Sequence, residues 1–129
     1  MPKAVEFGER AYGRNQFNPD MLLAMADSAM QKQQFDKALT YSTKAVEVMS
    51  SQAKPEGYPD ADWEKKKTSI IGLGNWMSGV TLSSQNKFAP ADKALRTALP
   101  LIKDNQQLMA GALFHLGLVN YKMGQISKN

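Results

Sequence analysis

The sequence predicts an all-α fold of about six helices, arranged as antiparallel pairs. Three observations carry this. Apolar residues recur at helical i, i+3, i+4 spacing in each unbroken segment. Short polar or Pro/Gly-bearing breaks separate those segments. One segment also echoes another: KAVEFGERA superposes on KALTYSTKA, setting Ala4 on Ala38 and Ala11 on Ala45, each pair 34 residues apart.

Residues 3–14 form the first predicted helix. Pro2 suits its start, because a first-turn residue has no intrahelical use for an N–H. Ala4, Val5, Ala11 and Tyr12 share one face, and Gly13 is a stop. Asn18-Pro19-Asp20 then opens a second helix: a capping side chain, a pre-set backbone angle and a carboxylate at the positive end of the dipole. Its stripe is Leu22, Met25, Ala26, Ala29 and Met30. Residues 31–34 are a polar break. Phe35-Asp36 starts the next helix, whose inner stripe is Ala38, Leu39, Ser42, Ala45, Val46 and Met49.

Residues 50–60 read as a loop with two prolines and a glycine. Asp60 or Asp62 is expected to cap the helix that follows, at about residues 61–86. Gly72, Gly74 and Gly79 each weaken that helix by about 1 kcal/mol relative to alanine, so close helix packing is expected at them. After the Asn86-Lys87 turn, Ala91, Ala94, Leu95, Ala98 and Leu99 make another stripe, which Pro100 ends near Ala98. The last helix starts near Asn105 and is expected to stop at Gly124, with residues 126–129 beginning one more.

Composition narrows the function classes. Of the 129 residues, 43% are hydrophobic and 22% charged, as in an ordinary globular domain. The net charge of +4 is scattered, and the one basic run, Lys65-Lys66-Lys67, reads as a solvated face. A nucleic-acid partner is therefore not expected. No apolar run is long enough to span a bilayer, so no membrane partner is expected either. Without cysteine there are no disulfides, thiol nucleophiles or thiolate metal sites.

His115 is the only histidine and has no second ligand beside it, so it reads as solvated or structural. The glycine-rich run at residues 72–79 lacks the Gly-Lys-Ser/Thr ending of a phosphate loop. Asp60, Asp62 and Glu64 lie close together at a helix start, where capping explains them better than paired acid-base chemistry. No catalytic residue, metal or cofactor is assigned. The residues leave the compartment open: a cytoplasmic setting is the default, and a periplasmic or secreted one stands if a signal peptide has been removed.

A recurring pattern runs through the helices. The last unit shows Leu113, Leu116-Gly117, Asn120-Tyr121 and Gly124; the first shows Leu22, Met25-Ala26 and Ala29, then Phe35, Ala38 and Ala45. The middle unit supplies Gly79, Phe88, Ala91 and Ala98, and departs from the pattern at Asn75 and Ser78. The chain resembles the tetratricopeptide repeat family, in a divergent and bacterial-type form. Spacing departs as well, since Ala98 follows Ala45 by 53 residues and Gly117 follows Gly79 by 38.

The resemblance implies a right-handed α-α superhelix. Residues 1–17 would be the second helix of a partial repeat, 18–51 a full repeat, 52–103 a full repeat with an inserted loop and a long helix, and 104–129 the first helix of a truncated repeat. The chain is then expected to be a piece of a longer repeat protein, and a homodimer through its uncapped terminal helices is an expectation. The family binds proteins or peptides on a concave face lined by first helices. Here that implies a groove of Leu23, Asp27, Met30, Trp76, Val80, Ser83, Phe114, Leu118 and Tyr121. No lysine or asparagine carboxylate clamp stands at those positions, so an apolar helix or extended segment is the expected ligand. The competing expectation is a structural spacer whose groove residues pack in cis.

Overall fold

The computed structural model describes residues 18–128. The described chain is all-helical: α1 (Pro19–Gln31), α2 (Phe35–Ser51), α3 (Asp60–Ser84), α4 (Phe88–Ala98), a 3-10 turn (Leu99–Leu101) and α5 (Gln106–Lys128). The helix expected over residues 3–14 lies outside the described residues. Each helix packs on the next, and α1 also reaches α3, as α3 reaches α5.

Helix ends follow local chemistry. Asn18 caps α1, its Oδ1 accepting the Asp20 N–H at 3.0 Å, with Pro19 in the first turn. Asn105 does the same for α5, accepting the Leu108 N–H at 3.1 Å. α3 differs from expectation. Pro59 takes its N-cap position and no side chain caps it. Asp60 and Asp62 sit one step later, in the first turn, where a carboxylate acts on the helix dipole rather than as a cap. Asp60 also pairs with Lys54, tying the preceding loop to the helix start. Within that loop Gly57 takes a positive φ of 82°, and the Tyr58 N–H returns to the Pro55 carbonyl at 3.1 Å, as a type II turn requires.

The two short inter-helix turns are the same turn. Gln33 and Asn86 both enter the left-handed region, at φ 59° and 61°. In the first turn the Gln34 N–H bonds the Ala29 carbonyl and the Gln33 N–H that of Met30; in the second, Lys87 bonds Leu82 and Asn86 bonds Ser83. Every one of these residues is 53 positions from its counterpart, the offset that also relates Ala45 to Ala98. Gly124 holds the corresponding place in α5, yet α5 continues helically through it to Lys128. A glycine permits a turn without compelling one. At Gln33 and Asn86 the helix that follows packs back and holds the turn, and no such helix follows Gly124 among the described residues.

The core sits around α3. One cluster joins Leu22, Leu23 and Ala26 of α1, Ala45 and Met49 of α2, and Trp63, Ile70 and Met77 of α3. The other joins Leu95 and Ala98 of α4, Ile102, and Ala112 and Leu116 of α5. Trp76 packs against both. Between α2 and α3, the buried hydroxyls of Ser42 and Ser78 bond each other at 2.9 Å, so neither is left without a partner.

The glycines of α3 do what their expense implied. A Cβ on Gly74 would stand 2.5 Å from Val46 Cγ2 of α2, and one on Gly79 would stand 2.5 Å from Leu95 Cγ of α4. Gly79→Ala should therefore lower stability by roughly 1–3 kcal/mol despite its gain in helix propensity, because fully buried Leu95 has nowhere to move. Gly117→Ala, whose new Cβ meets nothing within 4 Å, should raise it by roughly 0.5–1 kcal/mol. Denaturant titration of the two variants measures the contrast, and equal effects would show that α3 and α4 are not held in backbone contact.

Candidate functional site

Three helices carry the nine residues of the expected groove, and their surroundings divide them. On α1, Leu23 is buried, Met30 is partly buried against the core, and Asp27 is exposed, accepting a hydrogen bond from the Gln31 amide at 2.9 Å. On α3, Ser83 is buried, while Trp76 and Val80 are partly buried. On α5, Phe114, Leu118 and Tyr121 stand open, at 67%, 38% and 62% exposure.

The division has a physical cause. Leu23 and Trp76 occupy equivalent places on α1 and α3, and each is spent on the next odd-numbered helix. Leu23 Cδ2 lies 3.7 Å from the position a Cβ would take on Gly74 of α3. Trp76 lays its six-membered ring over Gly111 of α5, with Cζ2 3.1 Å from the equivalent point, and donates its indole N–H to the Leu108 carbonyl at 2.9 Å. Phe114 is the third member of this series and has no further helix to pack on among the described residues. Leu23 and Trp76 thus join helices rather than line an open groove.

Around Phe114 the exposure is contiguous. Leu113, at 55%, flanks it, and Gly117, Leu118 and Tyr121 follow on the same side of α5. The opposite side, Ala112, Leu116 and Val119, is buried. No acidic residue occurs on α5, and the open face is apolar, with the exposed Lys122 at its edge beside Tyr121. Helical periodicity placed these residues on one side of α5; it did not say that this side stays uncovered among the described residues.

His115 lies beside the face. Its Nδ1 is 3.2 Å from the buried Ser83 hydroxyl, and its ring meets that of Phe114 edge-on at 5.3 Å. Partial burial holds its pKa below the ordinary imidazole value. Among the described residues no group of histidines or carboxylates is placed to hold a metal ion. No described helix is long and apolar enough to cross a membrane. Of the basic run, Lys66 pairs with Asp20 at 3.5 Å, joining α3 to α1.

A separate cavity of about 590 Å³ lies between the first turns of α3 and the segment joining α4 to α5. Glu64, Thr68 and Leu73 of α3 line it together with Leu101, Asp104 and Leu108. It exists because α3, at 25 residues, begins well beyond the level at which α4 ends. Comparison with protein-family models, curated proteins and solved structures finds no match to this chain.

The lowered pKa of His115 fixes the sign of a pH effect. The folded state favours neutral imidazole, so below the ordinary histidine value the unfolded chain binds more protons than the folded one. That contribution to stability is complete above the ordinary value and is lost as pH falls through it and past the folded one. Denaturant midpoints at about pH 8 and pH 5 should differ more in the wild type than in His115→Gln. An identical pH dependence in the two proteins would remove His115 from the account.

Proposed function

We propose that this chain is a non-enzymatic protein-interaction module of the tetratricopeptide type, and that it binds a peptide or helix through apolar side chains of α5. The observation that carries this reading is the uncharged run of Leu113, Phe114, Leu118 and Tyr121, each large, apolar and at least 38% exposed. Single exposed apolar residues are ordinary, but four on adjoining turns of one helix mark a recognition surface. Aromatic side chains also suit such a surface, since they bury much area with few rotatable bonds.

The architecture supports the family reading. Helix pairs α1–α2 and α3–α4 are closed by superposable turns 53 residues apart, and the odd-numbered helices α1, α3 and α5 pack in series. A right-handed superhelix with these helices on its inner side follows if the series continues with one sense of rotation. A homodimer and a place within a longer repeat protein are consistent with the same arrangement.

A structural spacer is the second reading. It is favoured by Leu23 and Trp76, which serve helix-to-helix packing and, among the described residues, leave α5 as the exposed member of the series. The two readings part at Phe114 and Leu118. Peptides selected from a random display library against the full chain should lose binding when Phe114→Asp and Leu118→Asp are combined, while stability changes by less than about 1 kcal/mol. Trp76→Ala, in contrast, should cost roughly 2–4 kcal/mol, because it opens both core clusters and removes the indole hydrogen bond to the Leu108 carbonyl. Selection that yields no peptide sensitive to the α5 substitutions would leave the spacer.

A further inference from the structure

The open face of α5 has a filled counterpart inside the same molecule. Gly117 follows Gly79 by 38 residues, as Phe114 follows Trp76 and Gly124 follows Asn86. At Gly79 the missing side chain is replaced by Leu95, whose Cγ and Cδ2 come within 2.5 and 2.6 Å of where a Cβ would stand. Leu95 is flanked one turn either way by Ala91 and Ala98, all three fully buried, and the small flanks let α4 lie close on α3. At Gly117 the same hole is present with nothing within 4 Å of it. Leu113 and Tyr121 stand on either side of it, about 6 Å away along the axis in each direction.

Resting on the reading of α5 as an interaction surface, we infer that the face around Gly117 takes one amphipathic helix that seats a leucine-sized side chain over Gly117, with alanines about one turn to either side. The partner is thus a helix bearing Ala-x3-Leu-x2-Ala, the stripe that α4 already presents to α3. The register carries straight on from an interface this chain forms internally, so its geometry is available without adjustment of α5. The face is apolar but for Lys122 at its edge, so apolar contact rather than ion pairing sets the partner's chemistry.

Two other occupants leave the hole unfilled. A second copy packed symmetrically, α5 on α5 about Gly117, would set glycine against glycine and enclose a void. Residues 1–14 carry the related pattern Ala4, Gly8 and Ala11, but Gly8 stands where the leucine is needed. A helix with leucine at that position fills the face to ordinary interior density; these do not.

The test uses the full chain and a synthetic peptide of its own residues 86–102, which carries the Ala91, Leu95 and Ala98 stripe. The peptide should bind saturably below about 1 mM, an affinity limited by the ordering of a short helix. Leu95→Ala in the peptide should weaken binding at least about tenfold. Gly117→Leu in the chain should weaken it at least as much, by filling the hole in cis, while the variant folds normally because Gly117 faces open space. Equal binding to the wild type and to Gly117→Leu overturns the inference. If display-selected peptides require Phe114 and Leu118 but this helix does not bind, the partner chemistry fails and the interaction surface stands; if neither binds, both fail. A wild-type dimer in sedimentation that Gly117→Leu dissociates would assign the face to a second copy and overturn the inference.

Discussion

Backbone-close packing against α3 is the constraint on which the remaining structure depends. α2, α4 and the turn after α4 all approach this one helix where it lacks a side chain, at Gly74, Gly79 and Gly72. Three glycines weaken an isolated helix by about 3 kcal/mol, so α3 is helical because of its neighbours rather than in spite of its composition. The arrangement is mutual. Val46 and Leu95 come this close to the α3 backbone only because the glycines admit them, and the glycines are tolerated only because those side chains arrive. This also explains why α3 shows no single apolar face. Trp63, Ile70, Met77 and Thr81 are buried on one side of it and Gly72, Gly79 and Ser83 on the opposite side, against different partners, as expected for a helix enclosed by others.

Trp76 extends that constraint from packing to connection. It touches both core clusters and donates to a backbone carbonyl of α5, so one side chain couples the α1–α3 half to the α4–α5 half. The Leu108 carbonyl lies in the first turn of α5 and points toward α3, which aligns the two helices as well as joining them. Helices packed in series are held by contacts between neighbours, and here the second and third odd-numbered helices are joined by this indole together with the Ser83–His115 contact.

The fold was legible where it rests on local chemistry. Asn18-Pro19, the Asn86-Lys87 turn and Pro100 each act within a few residues, and each stands where the sequence placed it. The α3 glycines were legible as a demand for close packing, though not as to which neighbour would meet it. The groove was less legible for a general reason. Periodicity assigns a residue to a side of its helix; whether that side is covered depends on a helix far away in sequence. Leu23, Trp76 and Phe114 share one register, and among the described residues only the first two have a helix to lie on. The stop expected at Gly124 fails for the same reason, since a turn is secured by the helix that returns from it.

What distinguishes the α5 face from accidental exposure is its agreement with an interface already made. An exposed apolar patch alone says only that water is displaced when something covers it. The patch on α5 has a shape: a glycine hole at the place where, one unit earlier, a leucine is seated, with large side chains about it. Glycine in mid-helix lowers the stability of α5 itself, and nothing in the described structure compensates for it at Gly117. At Gly79 the compensation is Leu95. The same expense at Gly117 is accounted for in physical terms if a comparable side chain is supplied from outside α5, which is why the position, more than the exposed aromatic residues beside it, defines what the face is built to receive.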